Sequence, residues 1–123
     1  MVVKITLLLK ILFWLCFMAI NTLALSPASS LPALEIFNWW DKTQHAIGFG
    51  TLTVLAVLAY PHAHKLRVAF FLCGHGVLIE VLQYVGGYRF ADWQDAIADA
   101  VGIGIGMMLV TFLKYPMLTK TSV

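Results

Sequence analysis

Carboxylates set into apolar sequence are the first residues of this chain that could do chemistry. From Glu80 to Asp99 it reads EVLQYVGGYRFADWQDAIAD, with Glu80, Gln83, Arg89, Asp92, Asp95 and Asp99 in twenty positions. Five of the fourteen charged residues fall there. Ionisable groups in lipid-facing sequence are costly and usually mark a site. Grouped carboxyls suit acid/base work, because their surroundings can hold one protonated and leave another as a base. Glu80, Asp92, Asp95 and His45 are therefore the candidate catalytic groups, with Lys42, Gln83, Arg89, Asp99 and Asp41 as candidate binding groups. Neither serine nor cysteine lies in the cluster, so the reaction class would be hydrolysis by activated water. The signatures H-E-x-x-H and G-x-S-x-G are absent, and enzymatic activity stays open.

Charge sharpens the problem. Asp41, Glu80, Asp92, Asp95 and Asp99 face only Lys42 and Arg89, an excess of acid that protons or a cation must offset. No ligand spacing is diagnostic of a metal, and no cofactor is expected, although carboxylates with His45 form a donor set that a divalent cation accepts. The plainer roles are a loop ion pair for Arg89 with Asp92, a helix cap for Asp92 or Asp95, and an interhelical hydrogen bond for His45. Glu80 and Asp99 resist such roles, since neither lies in a loop.

The elements that position these groups must be membrane helices. Of 123 residues, 61% are hydrophobic and 11% charged, with a mean hydropathy of +0.88. A soluble domain carries about 25% charged residues. A span takes about 20 apolar residues, which leaves room for four and for no separate soluble domain. The expected fold is all-α: a polytopic bundle of four transmembrane helices forming one domain over residues 1–123. The spans fall at about 5–25, 43–60, 66–85 and 96–113. The first reads as a retained helix rather than a cleaved signal, because Pro27 makes a poor cleavage product. Pro27, Pro32, Phe37, Trp39 and Trp40 describe a loop with an interfacial aromatic end. Pro61 ends the second span and Gly86-Gly87 the third. Cys16 and Cys73 lie within apolar segments as ordinary thiols.

Lysine and arginine set the direction. Lys4, Lys10, Lys65, Arg67, Lys114 and Lys120 occupy the ends and the middle turn, whereas the other two loops are acidic. The positive-inside rule places both termini in the cytoplasm. At about 100° per residue, Gly76, Glu80, Gln83 and Tyr84 share one face of the third span, and Asp41, His45, Gly48 and Leu52 one face of the second. Asp92, Asp95, Asp99, Gly102 and Gly106 fall within roughly 80° on the fourth. Three helices thus present polar groups at one outward level. Gly102-x-x-x-Gly106, preceded by Ala98, reads as close helix packing. His75 points away from Glu80 and reads as structural, and His62 and His64 as turn residues.

These motifs, in this order, resemble the VanZ-like membrane proteins. Asp41-Lys42-x-x-His45 looks like the first signature; Glu80-x-x-Gln83, Arg89-x-x-Asp92-x-x-Asp95 and the Gly-x-x-x-Gly helix look like the second. Asp99 departs from the asparagine the family usually carries there. The resemblance implies a small multi-pass protein of the bacterial inner membrane, in a family named for resistance to the glycopeptide teicoplanin. Three functions fit. One is an outward-facing intramembrane site that binds or processes an amphiphilic, lipid-linked envelope molecule. The second is an assembly or interaction factor whose polar network is structural. The third is a small proton-coupled transporter, against which no acid lies in the inner half of any span. The expected partner besides that ligand is the lipid bilayer. Scattered inner-facing basic residues exclude nucleic acid, and the sequence leaves the oligomeric state open.

Overall fold

In a computed structural model the described residues, 2–27, 38–87 and 90–119, form helices joined by short turns. In chain order these are α1 (Val2–Ala24), α2 (Asn38–Ala59), α3 (Lys65–Gly86) and α4 (Trp93–Thr119). The four expected segments are all present, each beginning one to five residues earlier than expected. α4 continues past Leu113 through Pro116, and α2 begins at Asn38, one turn before its apolar run. Much of the interfacial loop (residues 28–37) and Arg89 lie outside the described residues.

Among the described residues, three helices are long and apolar enough to cross a membrane: Val3–Ala24, Lys65–Gly86 and Trp93–Leu113. α2 carries the least apolar sequence of the four yet contributes much of the buried core, with Phe49, Leu52, Ala56, Val57 and Ala59. The two facts belong together. α1 and α4 both pack closely on α2, and Asp41, Lys42, His45 and Thr53 are at least half-covered by protein, while Thr43, Gln44 and Thr51 stay exposed. α1 is peripheral and shows Leu7, Leu8, Ile11, Leu15 and Met18 outward, as a lipid-facing helix should.

Glycine sets the tightest seam. A Cβ on Gly102 would fall on the Ala46 carbonyl, and one on Gly106 would come 2.7 Å from the Gly50 carbonyl. Only hydrogen at these positions lets α2 and α4 approach so closely. The turn after α3 uses glycine differently. Gly87 sits at φ +65°, the left-handed conformation that glycine adopts without cost, and its N–H donates to the Tyr84 carbonyl.

The ends of the bundle differ in chemistry. Where α2 and α4 begin and α1 and α3 finish, the carboxylates gather. At the other end Lys10 lies over the Tyr60 ring at 5.2 Å, the Trp14 indole donates to the Tyr60 hydroxyl at 3.0 Å, and Lys65 donates to Thr111.

Candidate functional site

Three helices build the site. The first turns of α2 supply Asp41, Lys42 and His45, spaced so that positions 41 and 45 stack on one face. α4 supplies Asp92, just before its first turn, and Asp95 and Asp99 within it. α3 supplies Glu80 from its last two turns.

Asp92 is the cap of α4. Its Oδ1 accepts the Gln94 N–H at 2.9 Å and its carbonyl accepts the Asp95 N–H. The Gln94 N–H, aided by the Lys42 ammonium, holds its carboxyl below the usual aspartate range. Lys42 Nζ lies 2.9 Å from Asp92 Oδ2 and 3.5 Å from Asp95 Oδ1, which ties the start of α2 to the start of α4.

Deeper in, His45 Nδ1 meets Asp99 Oδ1 at 2.8 Å, while His45 Nε2 stands 3.8 Å from Asp95 Oδ2. Asp99 is 1% exposed. Its second oxygen has no partner and points at Gly76, where a Cβ would lie 2.6 Å from it. Gly76 therefore makes room on α3 for a carboxylate of α4. Glu80, 8% exposed, reaches across the turn so that Oε2 accepts the Asp92 N–H at 3.0 Å. Its Oε1 is buried without a partner. Asp95, His45 and Asp99 are among the charged groups that act on it.

The arrangement binds α2, α3 and α4 together and leaves two carboxylate oxygens unpaired within it. Buried acceptors of that kind are rare in native cores. Comparison of the sequence with known protein families matches residues 2–114 to the family described as VanZ/LLP1. The chain belongs to the VanZ/LLP1 family. Comparison with curated proteins and with solved structures gives no match.

In this VanZ/LLP1 protein, then, Asp41, Lys42, His45, Glu80, Asp92, Asp95 and Asp99 converge at one end of the bundle. Gln83 does not join them. It is 2% exposed and donates to the carbonyl of Ala24 at 2.8 Å, fastening the end of α1 to α3. Tyr84, expected on the Glu80 face, is 77% exposed. Gly48 turns to α1, where a Cβ would meet Ile20 at 3.2 Å. His75 stacks on Phe17 with centroids 4.4 Å apart, in keeping with a structural role.

Sequence reasoning missed one feature. An apolar groove of ≈430 Å³ runs between α2 and α4, lined by Ala46, Gly50, Val54, Gly102, Ile105 and Leu109 among others. Gly102 and Gly106, read from sequence only as packing, also line this groove together with Gly50.

Proposed function

We propose that this VanZ/LLP1 protein binds an amphiphilic cell-envelope molecule, with its headgroup at the carboxylate end and one chain in the α2–α4 groove. The observation that carries the reading is where the groove begins. Its lining starts at Ala46 and Gly102, the residue after His45 and three residues after Asp99. From Ala46 to Leu55 it follows α2 for about 14 Å, the rise of nine residues at 1.5 Å each. A mostly apolar site with a few convergent polar groups is the usual form of a small-molecule site. The lysine and arginine distribution supports an outward orientation for this end, in reach of lipid-linked envelope precursors. A role in glycopeptide resistance follows if that ligand is one teicoplanin competes for. Binding needs no reaction; water-mediated hydrolysis by the carboxylates is the chemistry the same groups could add.

A second reading draws on the Lys42–Asp92 and His45–Asp99 pairs and the Asp92–Glu80 hydrogen bond, which lock three helices whether or not a ligand is present. Two variants separate them. Ile105→Trp fills the groove from a lipid-facing position and leaves the polar groups alone; Glu80→Gln changes the site and leaves the groove alone. Each is extracted in lipid nanodiscs, and co-purifying amphiphiles are identified by mass spectrometry. Ligand binding requires that both variants insert and lose the bound amphiphile, with altered teicoplanin sensitivity in cells. Insertion with unchanged amphiphile content refutes it. Failure of Glu80→Gln to accumulate supports the structural lock.

A further inference from the structure

The pairing of His45 leaves a second set of atoms facing one another. With Nδ1 engaged by Asp99, Nε2 faces Asp95 Oδ2, but 3.8 Å is too long for a hydrogen bond. Asp41, one turn earlier on α2, brings a carboxylate oxygen to the same place. One ligand atom from each of Asp41, His45 and Asp95 lies within 4.8 Å of the others. Donors bound to one zinc-sized ion at 2.0–2.1 Å stand about 3.3 Å apart. Side-chain rotation of about 1.5 Å or less closes that difference.

We infer that Asp41, His45 and Asp95 form a binding site for one divalent transition-metal ion, with Asp99 orienting His45 from behind. Three further observations support it. The Asp99–His45 contact is the carboxylate–histidine arrangement that fixes a metal-binding imidazole in the tautomer with a free nitrogen. Glu80, buried with Oε1 lacking a partner, is coupled electrostatically to Asp95 and His45 of this same group. Lastly, acids outnumber bases among the described residues of the site, and Lys42 is committed first to Asp92. A doubly charged ion supplies what is missing.

The donor set selects the ion. Imidazole nitrogen with two carboxylates suits zinc, manganese, iron(II) or cobalt and not the all-oxygen preference of magnesium and calcium. Three protein ligands leave a position open to an exchangeable oxygen. A phosphate or carboxylate of a headgroup would take it, which explains how an acidic site could hold an anion. Only that use of the ion rests on the ligand binding proposed above; the site itself does not.

The test uses the full chain in detergent micelles, stripped with chelator and titrated with Co²⁺ and then Zn²⁺. Wild type should bind one equivalent of Co²⁺, with a visible absorption band that Zn²⁺ abolishes. His45→Ala and Asp95→Asn should weaken Zn²⁺ at least tenfold, and Asp99→Asn about 10–100-fold as an outer partner. His62→Ala, in the exposed turn between α2 and α3, should bind as wild type does. Absence of a stoichiometric band in wild type overturns the inference. So does a His45→Ala protein of normal helicity that binds as tightly as wild type. If His45→Ala does not fold, the wild-type stoichiometry and imidazole-dependent spectrum decide alone. Ile105→Trp separates the two proposals, since it should abolish amphiphile retention and leave metal binding intact.

Discussion

Adding a single methyl group to Gly102 should loosen the bundle, whereas adding it two residues later should not. Glycine within a helix is about 1 kcal/mol less favourable than alanine, so Gly102→Ala and Gly104→Ala share the same local gain. They differ in what the methyl meets. At Gly104 nothing lies within 4 Å, because that face of α4 is open to lipid. At Gly102 the methyl lands on the Ala46 carbonyl, and its second and third neighbours, at 2.8 and 2.9 Å, are backbone atoms of the same residue. Backbone cannot swing aside as a side chain does, so α4 must move off α2. Overpacking of this kind costs about 1–3 kcal/mol, and the difference between the two variants isolates that cost from helix propensity. Unfolding by increasing sodium dodecyl sulfate in mixed micelles, followed by helical circular dichroism, measures it. Gly104→Ala should match or exceed wild type, and Gly102→Ala should fall about 1–3 kcal/mol below Gly104→Ala. Equal stability of the two variants would refute the close approach of these helices. Since Ala46 follows His45 and Gly102 lies one turn beyond Asp99, the same shift should lengthen the 2.8 Å His45–Asp99 contact. Metal affinity should fall along with stability.

Gln83→Leu leaves the buried Ala24 carbonyl without its donor. It should destabilise the protein by about 1–3 kcal/mol and speed proteolysis near the end of α1, read by limited digestion in nanodiscs. Asp92 has a lowered carboxyl pKa, so its stabilising contribution is present above the ordinary aspartate value of about 3.9 and is lost as pH falls through the lowered one. Acid titration of helicity should therefore show a loss on the acid side of that value, and Asp92→Asn should remove this component while leaving neutral-pH folding in place. Reporter fusions test orientation. Green fluorescent protein at the C-terminus should fluoresce, and alkaline phosphatase inserted after Pro27 should be active, if both termini are cytoplasmic.

Much of this architecture is legible because two periodicities are strong. Long apolar runs broken at Pro61 and Gly86-Gly87 give the helices, and the 3.6-residue repeat puts Asp92, Asp95 and Asp99 on one face. Family motifs in order gave the membership. What one helix cannot reveal is the rotation and depth of its neighbour. His45 pairs with Asp99 rather than Asp92 because the glycine seam sets the offset between α2 and α4, and no sequence period encodes that offset. Gln83 shares the Glu80 face by angle, yet lies nearly a turn further along and meets the end of α1 instead. The groove escaped notice for the same reason, being a property of two surfaces together.

The modest apolarity of α2 has a consequence for how the protein is made. α1, α3 and α4 can each partition into the bilayer on leaving the ribosome, but α2 emerges with Asp41, Lys42, Thr43, Gln44 and His45 in its first turns. Its complement, the glycine face and carboxylates of α4, is synthesised some fifty residues later, as the separation of His45 from Asp99 shows. Until then α2 can lie against α1, but its polar first turns lack their partners on α4. Integration of this helix should therefore wait for the last one, with an insertase shielding it in the interval. A chain truncated before α4 should leave α2 accessible to water and exposed to membrane proteases.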